Sequence, residues 1–262
     1  MNLIKLSPLC LKSFLFYRTV FNKSIQNSLI FKDVPLYFSP NLHMDLCTTD
    51  LSHKHIAYTG FFELELTKRI MKLSDRGGVF VDVGANYGYY SLLWTGKFKE
   101  NKAFAFEPEV ENFKALSKNI EKNLLSSQIT YYNNALGKCI EEMQFDPVSS
   151  TQTSWGGLTY EKDTGVTIDV KTLDSFFAKS TLKVNVLKID VEGADTWVLY
   201  GAENLLKKKK VEYIFFEKNF EREHELGINH NEVHKYLNRL NYIVERISDK
   251  NGVLEEFFAY PK

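Results

Sequence analysis

Cysteine is scarce and unpatterned. Only Cys10, Cys47 and Cys139 occur, far apart and without a C-x-x-C pair, so neither a disulfide framework nor a zinc site is indicated and a reducing, cytoplasmic setting is expected. Net charge is missing too: 33 Lys and Arg offset 33 Asp and Glu, leaving no global field to hold a nucleic-acid backbone. No run reaches the roughly 18 apolar residues of a membrane span. Lys12 and Arg18 interrupt the apolar N-terminus too early for a signal-peptide core. The dinucleotide fingerprint G-x-G-x-x-G is also absent, which disfavours a nicotinamide-dependent oxidoreductase.

What is present is a chain of 262 residues, 44% hydrophobic, long enough to bury one good core. It is organised around Val79 to Ser91. A short run of β-branched and aromatic residues, suited to a strand buried on both faces, turns on Gly84 and Gly88 into an aromatic helix-like segment. Such a strand–turn–helix unit presents backbone N–H groups to a ligand, and glycines permit close approach to the main chain. The spacing is Asp82-x-Gly84-x-x-x-Gly88, with Asn86 inside the turn. An acidic strand end suits a ligand bearing an ammonium or hydroxyl donors and repels a pyrophosphate. The next apolar run ends in Glu107-Pro108, a second carboxylate about where nucleotide folds hold a ribose. An adenosyl group with an amino-acid tail, as in S-adenosylmethionine, meets both requirements.

Asp82 to Gly88, Phe106-Glu107-Pro108, Val170 to Asp174 and Lys188 to Ala194 resemble the FkbM methyltransferases, a branch of the class I S-adenosylmethionine-dependent enzymes. The resemblance covers about residues 57 to 245, and Asp195 stands where the family more often has Glu. It implies a doubly wound α/β fold: a mostly parallel, seven-stranded Rossmann-like sheet with a C-terminal antiparallel hairpin. It also implies S-adenosylmethionine as cofactor, with O-methylation of a sugar, glycolipid or secondary-metabolite hydroxyl, and it places Asn134 at the adenine edge. The methyltransferase domain is expected over 57–262, behind an N-terminal extension over 1–56.

In residues 1–32, basic residues without an acid alternate with apolar ones at near-helical spacing. This reads either as a helix docked on the domain or as a peripheral membrane contact. Leu29 to Asp50 suggests a strand pair serving as a lid or a homodimer contact. Helices are expected over Phe61 to Leu73, along the face marked by Val110, Phe113, Leu116, Ile120 and Leu124, and from Gly193 through Leu206. Cys139 to Thr167 reads as a long irregular loop over the acceptor site, with Trp155 as a platform or as part of a mobile surface. His230 and His234 lack a third zinc ligand and read as solvated.

The chemistry concentrates at strand ends. Lys188, Asp190 and Glu192 are two apart, so an extended chain points all three to one side, and Glu217 ends a further buried strand. Clustered charge there costs several kcal/mol unless paired or used. Asp190 is expected to be the general base or to orient the acceptor, Lys188 to balance its charge, and Glu192 or Glu217 to bind the acceptor. Asp82 and Gly84 are expected to face the amino-acid tail of the cofactor, with Asn86 and Gly88 in the same cofactor-binding turn, Glu107 to accept from the ribose, and Tyr89 or a neighbouring ring to face the sulfonium. No metal is required. A non-catalytic scaffold that kept the cofactor fold is the alternative.

Overall fold

The computed structural model describes residues 28–147, 155–161, 165–250 and 254–262. Most of the basic segment 1–32, up to residue 27, and Ser149 to Ser154 of the long loop lie outside the described residues. After a 3-10 turn at Ser28–Phe31, the described residues form the antiparallel pair β1 (Val34–Leu36) and β2 (Ser39–Met44), followed by helices α1 (Leu51–Thr59) and α2 (Leu64–Ser74). Then come β3 (Val79–Val83), α3 (Tyr89–Thr95), β4 (Lys102–Phe106), α4 (Val110–Lys122) and β5 (Ile129–Tyr132). A small second sheet contains β6 (Ala135–Leu136), β7 (Glu141–Asp146), β8 (Gly157–Thr159) and β9 (Val166–Lys171). The chain continues through α5 (Leu173–Phe177), β10 (Val184–Ile189), α6 (Asp195–Tyr200), α7 (Glu203–Lys207) and β11 (Val211–Asn219). It closes with α8 (Phe220–Glu225), α9 (Glu232–Arg239), β12 (Tyr242–Lys250) and β13 (Leu254–Pro261).

The main sheet runs β12-β13-β11-β10-β3-β4-β5, parallel from β11 to β5, with the last two strands of the chain antiparallel at one edge. Alternation along each strand sorts its side chains onto two faces. Phe80, Val186 and Phe215 join one core with Leu92, Leu93, Trp94 and Leu116 from the helices on that side. Val79, Val81, Val83, Leu187 and Ile189 face a second core with Val198, Leu199, Leu206 and Leu237. A sheet covered on both faces explains why its central strands are mostly apolar, with Asp82 and Lys188 as buried exceptions.

The N-terminal segment packs on this body. Phe31, Val34, Leu36, Met44 and Ile56 are buried in the same core as Phe80 and Trp94. Two asparagines of α4 serve the free edge of β2. Asn123 accepts from His43 N at 2.8 Å and donates to His43 O at 2.7 Å, while Asn119 does the same for Asp45 at 2.8 and 3.2 Å. Asn119 also donates to Tyr87 O at 3.0 Å, tying this pair to the glycine turn.

Four expectations change. Cys139 to Thr167 is not one irregular loop, because Met143, Phe145 and Leu158 give the second sheet a buried face against Ala194 and Trp197. The helix after Glu107 stops at Lys122; Leu124 takes φ 58° and is exposed, as is Val110 at the other end. The helix expected from Gly193 to Leu206 is two short ones that part at Gly201 and Ala202, where the chain passes so close to Gly137 that a Cβ on Gly201 would lie 2.0 Å from the Gly137 carbonyl oxygen. The histidines are engaged rather than solvated. His230 Nδ1 lies 2.7 Å from Glu223 Oε2, and the His234 ring meets Phe257 edge-on. Among the described residues no helix is long and apolar enough to cross a membrane.

Candidate active site

The carboxyl ends of the parallel strands open onto a cavity of about 1290 Å3, its mouth included. That is where open α/β sheets place ligands. Gly84, Asn86 and Tyr89 line it from the β3–α3 turn, Glu107 from the end of β4, and Asn134 from beyond β5. Lys188, Asp190 and Glu192 enter from the end of β10 and Glu217 from β11. Asp82 and Gly88, expected at the same site, are not part of its wall.

Main-chain bonds stitch three strand ends together: Asp190 N donates to Val83 O at 3.0 Å, while Gly84 N and Ala85 N donate to Phe106 O at 3.0 and 2.9 Å. Gly84 has φ +76°, and a Cβ there would lie 1.9 Å from the Asp190 carbonyl oxygen. Gly88 has φ +91°, and its Cβ would lie 2.6 Å from Leu116 Cδ1. Gly84 is therefore demanded by the close approach of the chain to itself and Gly88 by its positive φ, since the Leu116 methyl could turn aside. A ligand is not needed to explain them.

Asp82 and Lys188 are register partners on β3 and β10, so their side chains share a face. The Lys188 ammonium lies 3.7 Å from Asp82 Oδ1 and 3.2 Å from Asp190 Oδ2, and 5.2 Å from the Tyr90 ring centroid. Ser91 Oγ donates to Asp82 Oδ2 at 2.7 Å. Asp82 thus sits behind Lys188, which explains its absence from the cavity wall. Burial pushes the Asp82 carboxyl up, against the opposing pull of Lys188 and Ser91. Burial acts to lower the Lys188 ammonium, but the Asp190, Asp82 and Glu63 carboxylates outweigh it and hold the group above its ordinary value.

Strand β10 ends at Ile189, so Glu192 reaches the cavity through a turn rather than by strand alternation; it takes φ 52° and Gly193 φ +93°. Burial, then the negative charges of Asp190 and Asp195, push the Glu192 carboxyl up to about 8, and Asn219 Nδ2 donates to it at 3.3 Å. Asp195 is buried and acts as a clasp: Oδ1 accepts from Glu217 N at 3.0 Å and Oδ2 from Val191 N at 3.3 Å, joining the β10 turn to β11. Burial raises it to about 7.

At the other end, Glu107 Oε2 accepts from Asn86 N at 2.8 Å, and Oε1 from Glu109 N at 3.1 Å and Asn112 Nδ2 at 3.4 Å. Burial lifts this carboxyl to about 7 in spite of those donors. A carboxylate offers about four acceptor positions, so capacity remains for a ligand hydroxyl. Asn133 Nδ2 pins the adjoining turn through Glu107 O and Pro108 O, both at 2.9 Å, and leaves Asn134 at the cavity. Tyr89 is fixed by its hydroxyl, which accepts from Phe62 N and bonds Thr67 Oγ1, both at 3.2 Å.

Several wall residues carried no signal as site residues. His53 belongs to a helix inside the stretch read as an extension, and Glu63, at the start of α2, accepts from the Tyr90 hydroxyl at 2.9 Å. Trp155, exposed by half, stands at the rim. Among the described residues, the group with metal-ligand spacing is Glu63, Glu217 and Glu256, whose oxygens lie within 4.8 Å of one another.

Glu107, Glu192 and Asp195 all hold protons more tightly folded than at their ordinary values of 4.5, 4.5 and 3.8. From about pH 4 to about pH 8 the native state therefore binds more protons than the unfolded chain, and stability falls as pH rises across that window. Thermal melting is expected to give a higher Tm near pH 6 than near pH 8.5, and a rise over that interval would contradict the assignment of these three groups.

A mostly parallel sheet with carboxylates gathered at its strand ends and an antiparallel C-terminal edge defines a Rossmann-like methyltransferase fold. The chain belongs to the FkbM methyltransferase family, whose Methyltransferase FkbM domain matches residues 82–244. It is similar to Methyltransferase 1 of Beauveria bassiana, 27% identical over 144 residues, covering 47% of this chain and 58% of that protein. Hexuronic acid methyltransferase AglP of Haloferax volcanii is 25% identical over 148 residues, covering 55% of this chain and 58% of the relative. The chain thus spans a little over half the length of these relatives. Among solved structures, the methyltransferase FkbM from Methylobacillus flagellatus KT shares the fold with a TM-score of 0.50 at 17% identity, over 70% of this chain and 43% of that one.

Proposed function

We propose that the protein transfers a methyl group from S-adenosylmethionine to a hydroxyl of a sugar, glycolipid or secondary metabolite. The observation that carries this reading is one continuous cavity whose adenosyl end, at Glu107, Asn134 and the glycine turn, runs into a carboxylate end at Asp190, Glu192 and Glu217. The residues present fit the donor. Glu107 keeps acceptor capacity for ribose hydroxyls, and Tyr87, Tyr89 and Tyr90 offer aromatic surface to a sulfonium. The lone lysine or arginine among the described wall residues, Lys188, is engaged by Asp82 and Asp190, which leaves a pyrophosphate without a counter-charge. Bound there, S-adenosylmethionine supplies a methyl group already activated on sulfur.

The chain then has to align the acceptor and exclude water, which alone contributes roughly 7–11 kcal/mol of barrier reduction. Asp190, held by Lys188 and about one third exposed, orients the acceptor hydroxyl. Glu192, its carboxyl at about 8, removes the proton, since a base tuned near the working pH is the efficient one. Glu217, clasped by Asp195, binds the acceptor from β11. The hexuronic acid named for the Haloferax relative supports a carbohydrate acceptor.

Calorimetry is expected to show binding of S-adenosylmethionine and of its demethylated product but not of NAD. Tight binding of NAD alone would refute the methyltransferase reading. Labelled-methyl transfer to a pool of glycans and hydroxylated metabolites separates an enzyme from a scaffold, which would bind the cofactor and label nothing.

A further inference from the structure

We propose that His53, on helix α1 of the N-terminal segment, is a positioning residue of the donor site: it fixes the Asn86 side-chain amide so that its NH2 group meets the carboxylate of the donor's amino-acid tail. This rests on the S-adenosylmethionine reading above and adds to it a residue outside the matched family region, which starts at residue 82.

The bond network admits one assignment of donors and acceptors. Tyr87 N lies 2.7 Å from Asn86 Oδ1, and a main-chain N–H can only donate, so that side-chain atom is the oxygen and the amide cannot be flipped. His53 Nε2 lies 2.8 Å from the same oxygen and must therefore donate to it. Cys47 N, again an obligate donor, faces His53 Nδ1 at 3.3 Å, so in the neutral ring that nitrogen accepts, and the Cys47 thiol beside it is lowered to about 6, chiefly by its hydrogen bond to the His53 side chain. The ring is buried, rests against Tyr87 at 4.2 Å between centroids, and is placed by the α1 cap, where Asp50 Oδ1 accepts from His53 N at 3.0 Å. With its oxygen bound twice, Asn86 has only its NH2 group left to offer the cavity that it lines.

Three other donors of the wall are already engaged. The Lys188 ammonium is shared by Asp82 and Asp190, the Tyr90 hydroxyl donates to Glu63, and the Tyr89 hydroxyl is held by Thr67 and Phe62. In a cavity lined by Glu63, Glu107, Asp190, Glu192 and Glu217, a carboxylate is tolerated only where N–H groups face it. Ribose hydroxyls are donors and suit Glu107 instead, so the amide of Asn86 goes to the tail.

The test compares two ligands that differ in the tail: S-adenosylhomocysteine, which has it, and 5′-methylthioadenosine, which lacks it. By calorimetry, His53→Ala is expected to weaken the first about tenfold, the size of one hydrogen bond to a charged group, and to leave the second within twofold. His53→Gln, whose amide can still donate to Asn86 Oδ1, is expected to recover most of the loss. Asn86→Ala should show the same selective loss, and the double variant should lose no more than either single one. An unchanged affinity for S-adenosylhomocysteine in His53→Ala, or equal losses for both ligands, would overturn the proposal. Should His53→Ala not fold, Asn86→Ala read on the same pair decides in the same way. Wild-type protein that binds neither ligand would overturn the donor reading itself, a result distinct from these.

Discussion

Asp190→Asn is expected to lower methyl transfer by about 10²-fold while leaving affinity for S-adenosylhomocysteine within a few fold. The substitution keeps the shape of the side chain and its place at the end of β10, where the backbone N–H remains bonded to Val83 O at 3.0 Å. What it removes is the negative charge 3.2 Å from the Lys188 ammonium, the charge that holds and polarises the acceptor hydroxyl. Glu192 provides the companion result. With its carboxyl at about 8, wild-type turnover should climb through roughly that pH as the base ionises, and Glu192→Gln should flatten the climb as well as slow the reaction. Initial rates with labelled donor across pH measure both. Undiminished turnover in Asp190→Asn would remove that carboxylate from the mechanism.

Gly84→Ala is expected to destabilise the fold by about 3–5 kcal/mol, enough to unfold many domains of this size. Two effects combine. At φ +76° any L side chain is strained by about 1–2 kcal/mol, and the added Cβ would stand 1.9 Å from the Asp190 carbonyl oxygen. That neighbour is backbone, bonded in turn to β3, so it cannot rotate away as a side-chain tip would. Urea unfolding monitored by tryptophan fluorescence would give the difference directly. A loss under about 1 kcal/mol would mean that the strand ends part more easily than their hydrogen bonds suggest.

The strands of the main sheet were readable because burial on both faces leaves runs such as Val79 to Val83 with a single polar residue, Asp82, and because Gly84, Glu107 and Asp190 follow directly on β3, β4 and β10. The same reading extended the chain past Ile189 as a straight strand and so reached Glu192 by the wrong route. The bend depends on a residue at φ 52°, and a glutamate gives no advance notice of that conformation. Asp82 was legible as important but not as to its neighbours, since pairing with Lys188 is set by the register of strands a hundred residues apart. The second sheet was missed because β8 is only three residues long and its burial comes from Ala194, Trp197 and Leu226, far along the chain. His53 was invisible for a similar reason: its significance lies in a bond across 33 positions to Asn86.

The asparagine pair of α4 that grips β2 bears on where this fold begins. The segment matched across the family starts at Asp82, yet Phe31, Met44 and Ile56 fill the same hydrophobic interior as Phe80, and His53 reaches the turn at Asn86. The unit recognisable among relatives is therefore smaller than the unit that must fold. Grafting residues 82–244 alone onto another protein would carry the family's signature without its foundation, leaving one side of the sheet stripped and the cavity missing a wall.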